Sequence, residues 1–93
     1  MLLDAAEKGN LDTLKKLKSK NYSLTDKNNK GWDALIVAAY YEQFDVCKWL
    51  IKNGADPNSI NYNGTSVLMY AMTAAGNSNN LKVLNLLIKT QLI

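Results

Sequence analysis

The stretch that decides the fold is Gly31-Trp32-Asp33-Ala34-Leu35-Ile36-Val37-Ala38-Ala39, followed by Val46-Cys47-Lys48-Trp49-Leu50-Ile51 and by Asn53-Gly54-Ala55-Asp56-Pro57-Asn58. Asp33 favours a helix start, because its carboxylate can accept from the free amides of a first turn. The apolar residues after it predict a helix over 34–41, and the helical spacing of apolar residues predicts another over 44–52. Gly54 can adopt the left-handed conformation that ends a helix.

The same pattern recurs on both sides of this stretch at a shift of 33 residues. After residue 74 the register moves by four more residues, so that Leu50 aligns with Leu87. We place this insertion in the turn-like stretch 75–80, between two helices. The repetition predicts one domain, 1–93, with units 1–30, 31–63 and 64–93. The aligned triplets include Leu2, Leu35 and Leu68, and Ala5, Ala38 and Ala71.

Each unit is predicted to contain two helices and a projecting turn. The first helix is predicted over 34–41 and 67–73, and the second over 11–18, 44–52 and 81–89. Asn21 takes the place of Gly54 as the residue that ends a helix. Because such a unit cannot bury its apolar face alone, we predict an all-α solenoid of stacked units.

These residues resemble the ankyrin repeat, above all in Gly54-Ala55-Asp56-Pro57-Asn58, which is similar to the family's Gly-Ala-Asp-x-Asn. Departures occur where the family has Thr-Pro-Leu-His: this chain has Asp33-Ala34-Leu35-Ile36 and Ser66-Val67-Leu68-Met69, so the capping oxygen is kept and the imidazole that helps tie the family's turns together is absent. The resemblance implies an ankyrin-type solenoid whose concave face binds a protein partner without catalysis. The matching positions are Glu7, Lys8, Asn29, Lys30, Trp32, Tyr40, Tyr41, Asn53, Tyr62, Asn63, Thr65, Thr73 and Ala74.

Four aromatic residues stand out among these positions: Trp32, Tyr40, Tyr41 and Tyr62. Trp and Tyr bury a large area at low cost in rotamer entropy, so they are typical of binding hot spots. We expect Trp32 to be exposed. For Tyr40 and Tyr41, exposure and packing on a neighbour both remain open, whereas Trp49 is expected in the core.

Composition argues against an enzyme. The chain has no histidine and one cysteine, which removes the usual general base, the common nucleophile pairs and a multi-cysteine zinc site. The carboxylates are scattered, and Cys47 lies on an apolar helix face. We predict no catalytic residue, no metal site and no cofactor.

The net charge of +3 comes from residues 1–30, where seven lysines face four acids; residues 31–93 carry four of each. Because arginine is absent, specific nucleic-acid binding is not expected. A third hypothesis is that the lysines of residues 1–30 bind an acidic partner. No segment has the length of a membrane span, and an intracellular (cytoplasmic) location is expected. Export without a cleaved signal, into a host cell, is left open.

A second hypothesis concerns the apolar C-terminal helix, 81–93. Terminal repeats should carry a polar outer face. An apolar one favours self-association, or docking to the rest of a larger repeat protein.

Overall fold

A computed structural model describes residues 1–91. Over this range the chain forms six helices, and an isolated antiparallel bridge joins Ile60 and Ser66. The all-α prediction is therefore confirmed. The helices are α1 (Leu2–Lys8), α2 (Leu11–Ser19), α3 (Ala34–Tyr40), α4 (Phe44–Lys52), α5 (Val67–Ser78) and α6 (Lys82–Gln91).

The helix ends follow the predicted capping chemistry. Asp33 Oδ1 accepts from the Ile36 amide at 2.9 Å, and Ser66 Oγ accepts from the Met69 amide at 3.1 Å. Just beyond α2 and α4, Asn21 has a φ of 65° and Gly54 a φ of 101°. Asparagine thus adopts the left-handed conformation in the first repeat that glycine adopts in the second.

The conformation of the insertion differs from the prediction, although its place in residues 75–80 does not. Residues 75–78 are not a turn: they extend α5 to Ser78, and the left-handed residue Asn79 follows. Four residues are close to one helical turn of 3.6 residues. The insertion therefore lengthens the helix and leaves its faces almost unrotated, so that α6 still packs beside α4.

Three helical hairpins, α1–α2, α3–α4 and α5–α6, stack in chain order. The first helices pack on one another, α1 on α3 and α3 on α5, and α4 packs on α6. Small side chains allow this approach, since Ala5, Ala38 and Ala71 are all buried. The largest buried side chains of the shared core are Leu14, Leu35, Ile36, Leu50, Leu87, Val46 and Val67.

Two polar side-chain bonds reinforce the stack: one joins the start of α3 to the connection after α4, and the other joins the first and second hairpins. Asp33 Oδ2 accepts from Ser59 Oγ at 2.6 Å, and both residues are buried. Gln43 Nε2 donates to the Glu7 carbonyl at 2.8 Å. The Asp33–Ser59 bond satisfies two buried polar groups, whereas the Gln43–Glu7 bond lies at the surface.

Candidate partner-binding surface

Two projecting turns have the same internal hydrogen bonds, one repeat apart. Asn28 Oδ1 accepts from the amides of Lys30 and Trp32 at 2.9 and 3.0 Å. Asn61 Oδ1 accepts from the amides of Asn63 and Thr65 at 3.0 and 2.9 Å. An asparagine side chain that bonds to the backbone ahead of it favours a tight turn. Both turns are thus held in a fixed shape by a local side chain.

The turns also lie directly beside each other. The Tyr62 amide donates to the Lys30 carbonyl at 3.1 Å, and Lys27 Nζ donates to the Ile60 carbonyl at 2.6 Å. At Gly31, with a φ of 81°, an added Cβ would lie 2.5 Å from the Tyr62 nitrogen. The first turn therefore requires glycine for both conformation and space.

Four aromatic rings form a continuous cluster next to these turns; we call Trp32, Tyr40, Tyr41 and Tyr70 the aromatic cluster. The ring centroid of Tyr40 lies 6.2 Å from that of Trp32, 5.1 Å from that of Tyr41 and 5.6 Å from that of Tyr70, each pair edge to face. Trp32 and Tyr70 lie 5.2 Å apart at a tilt of 57°. Edge-to-face packing adds stabilisation beyond buried area, so each ring restrains its neighbours.

Tyr70 belongs to this cluster although it is not among the positions predicted from the sequence. It aligns with the buried Val37, so the repeat register alone indicates a core residue. Helical geometry gives a better signal, because Tyr70 lies one turn before Thr73 and shares its face. The Tyr70 hydroxyl accepts from Asn61 Nδ2 at 3.0 Å, and this bond ties the second turn to the aromatic cluster.

The exposure expected for Trp32 is wrong. Trp32 is half-buried and packs against the core, because Tyr40 and Tyr70 cover two of its sides. Tyr40 and Tyr41 are 39% and 46% exposed, so packing and exposure coexist in them. Tyr62 is 69% exposed, and none of the ring pairs of the aromatic cluster includes it. Trp49 is half-buried against the core, less deeply than expected.

The remaining candidate positions are divided by depth. Ala74 does not lie on the surface: it is buried, because α5 continues past it. Thr65 and Asn53 are half-buried. The exposed positions are Glu7, Lys8, Asn29, Lys30, Asn63 and Thr73.

The seven lysines of residues 1–30 are distributed over three structural elements. Lys8 lies in α1 and makes an exposed ion pair with Asp4 at 3.3 Å. Four others belong to α2 and its end, whereas Lys27 and Lys30 belong to the first turn; all are exposed. An exposed pair of this kind adds little stability.

Cys47 is fully buried, and desolvation raises the pKa of its thiol to about 12. The thiolate needed for nucleophilic or metal chemistry is therefore disfavoured at neutral pH. In residues 1–91 no three His, Cys, Asp or Glu side chains lie together where they could hold a metal ion. Over the same residues no helix combines the length and apolarity needed to cross a membrane.

Stacked helical hairpins joined by projecting turns define the class of helical repeat solenoids. A family model described as ankyrin repeats (3 copies) matches residues 2–92. The chain belongs to the ankyrin repeat family. Ankyrin repeats are generally protein–protein interaction modules, and the family is typically non-catalytic.

Two longer proteins share part of the sequence. An ankyrin repeat protein of Acanthamoeba polyphaga mimivirus is 41% identical over 49 residues, which is 48% of this chain. The mitochondrial disaggregase of Homo sapiens is 39% identical over 57 residues, or 61% of this chain. The matched segment spans 8% of the length of each relative.

Proposed function

We propose that the chain is a non-catalytic module that binds a partner protein on the surface made by its projecting turns and the adjoining first helices. The aromatic cluster is the central anchor of this surface. The observation that carries the proposal is the combination, in Tyr40 and Tyr41, of substantial exposure with edge-to-face contacts to fixed neighbours. These two rings offer apolar area and hydroxyl groups, which are the properties of residues that dominate binding energy.

Rigidity supports the same proposal. The Asn28 and Asn61 side chains fix the two turns, and the Asn61–Tyr70 bond fixes a turn to the cluster. A surface that is already ordered loses little conformational entropy when a partner docks. The few side chains at its centre can then contribute most of the net binding free energy.

The candidate positions after residue 60 are uncharged, whereas the charged ones, Glu7, Lys8 and Lys30, belong to α1 and the first turn. Asn63, Thr65 and Thr73 can donate and accept hydrogen bonds but carry no charge. Lys30 contributes one positive charge beside them. Such a rim favours a partner segment with apolar side chains and free backbone groups over a strongly acidic one.

A crosslinking experiment tests the proposal. Tyr40 is replaced by a photoreactive phenylalanine analogue, the captured partner is purified, and its Kd is measured for the wild type and for Tyr40→Ala with Tyr41→Ala. We expect the double substitution to raise Kd by about tenfold or more, as loss of a hot spot does. Circular dichroism should show a folded domain, because both rings are partly exposed.

Tyr22→Ala is the matched control. Tyr22 is 61% exposed but follows α2, outside the aromatic cluster, so its loss should leave Kd unchanged. Equal effects of the two changes, or no effect of the double substitution, would exclude the aromatic cluster as the anchor.

A further inference from the structure

The outer side of the third hairpin repeats, position by position, a surface that is buried between the earlier hairpins. Ala6 and Ala39 are fully buried, and the residue at the same position in α5 is Met72, which is 56% exposed. Ile36 is fully buried, and its counterpart Met69 is 53% exposed. The first helices pack on one another in chain order, α1 on α3 and α3 on α5, and no further helix pair follows α5–α6 in residues 1–91.

The second helix continues this surface. Leu14 and Cys47 are fully buried, whereas their counterpart Leu84 is only half-buried. Leu81, the counterpart of Leu11 and Phe44, is 53% exposed. Ile88, which is 43% exposed, lies one turn after Leu84 on the same face of α6. We call Met69, Met72, Leu81, Leu84 and Ile88 the α5–α6 end face.

The residues of the α5–α6 end face carry no charge. No acidic residue occurs after Asp56, and the lysines of the third hairpin are Lys82 and Lys89. Lys82 points back towards the second hairpin, with Nζ 5.8 Å from the Phe44 ring centroid. Lys89 aligns with Lys52, which stays exposed although α6 packs beside α4, so this position lies outside the stacking contact.

We infer that the α5–α6 end face pairs with the same face of a second copy of this chain, related by a twofold axis. A self-complementary contact needs the same surface on both partners, and an uncharged apolar face meets its own copy without buried like charges. Methionine adapts its shape readily, which suits the centre of such a contact. This contact joins two copies of one face, whereas the stacking of α3 on α5 joins two different faces.

A head-to-tail arrangement fits less well. The first hairpin carries Asp4 where the stacked hairpins carry Val37 and Tyr70, and Thr13 where they carry Val46 and Val83. Docking that end on the α5–α6 end face would bring the exposed Asp4–Lys8 pair against methionine. Burying charges against apolar groups is costly unless they are fully hydrogen-bonded. Pairing of like ends therefore closes at a dimer and leaves the charged end in water.

Sedimentation equilibrium tests this inference. The chain has a mass of 10.3 kDa, and the measured mass should rise towards twice that value as concentration increases, and stop there. Met72→Glu should raise the dimer Kd by about tenfold or more, because each contact then buries two carboxylates. Since Met72 is exposed in the monomer, the variant should keep its helical circular dichroism.

Thr25→Glu is the control: Thr25 is exposed in the connection between α2 and α3, outside the α5–α6 end face, so this variant should dimerise as the wild type does. A monomer at every concentration, growth beyond the dimer, or a dimer unaffected by Met72→Glu would overturn the inference. Partner binding through Tyr40 and Tyr41 is independent of this result, since the two surfaces share no residue.

Discussion

At the scale of single residues, Asp33 connects helix formation with stacking. One carboxylate oxygen caps α3, and the other accepts from Ser59 of the next turn. The cap can be predicted from the sequence, because an acidic residue before an apolar run is a local signal. The Ser59 bond cannot, because 26 residues separate the two partners.

Replacing Asp33 should therefore cost more than replacing the equivalent cap Ser66. Asp33→Ala removes a cap and leaves the buried Ser59 hydroxyl unpaired, so we expect the free energy of unfolding to fall by about 2–4 kcal/mol. Ser66→Ala removes only the cap bond to Met69 and should cost about 1 kcal/mol. Urea unfolding followed by circular dichroism measures both. Equal losses would show that the Asp33–Ser59 bond contributes nothing.

The Cys47 thiol should be unreactive in the folded protein. Burial raises the pKa of its thiol from 9.0 to about 12, so at pH 8 the native chain should react with iodoacetamide far more slowly than the chain in urea. The raised pKa also means that the thiol's contribution to stability is complete below pH 9 and declines between pH 9 and 12. Rapid labelling of the native protein would contradict this burial.

At the scale of elements, the C-terminal end of α5 could not be predicted from the sequence. The repeat register gives the number of inserted residues, but Gly76, Asn77 and Ser78 predict a turn, because these residue types are typical of turns. The structure continues the helix through them. A four-residue insertion preserves the helical phase, so tertiary packing of α5 and α6 outweighs the weak local preference.

Gly76→Ala should consequently stabilise the protein. Gly76 lies inside α5, and an added Cβ would meet nothing within 4 Å, so alanine should add about 0.5–1 kcal/mol to the free energy of unfolding. Gly64→Ala is the control: it has equal space but a φ of 81°, and it should destabilise by about 1 kcal/mol. Thermal unfolding distinguishes the two. Destabilisation by Gly76→Ala would mean that residues 75–78 form a turn.

At the scale of the whole molecule, stacking depends on small residues between the first helices. Ala38 is fully buried between α1 and α5. Ala38→Leu should destabilise by about 1–3 kcal/mol through overpacking, whereas Thr73→Leu, on an exposed face, should have little effect. Chemical denaturation measures the difference. An Ala38→Leu protein as stable as the wild type would contradict the close approach of α1, α3 and α5.

The order of the hairpins and their shared core could be predicted from periodicity, because stacking repeats the same contacts at each unit. The candidate surface could be predicted only in part. The repeat pattern indicates Tyr40 and Tyr41 as binding residues. The half-burial of Trp32 and the inclusion of Tyr70 depend instead on contacts between rings of the second and third repeats. Repeat register assigns positions within a unit and carries no information on how unlike side chains meet between units.

Chemical-shift mapping tests the central claim most directly. The isotopically labelled chain is titrated with the purified partner captured from position 40, and the amide resonances are followed. We predict that the largest changes fall on Trp32, Tyr40, Tyr41, Tyr70 and the turn at Asn61–Thr65, with α2 and α4 almost unaffected. Changes confined to α2 and α4, with the aromatic cluster unmoved, would contradict the account.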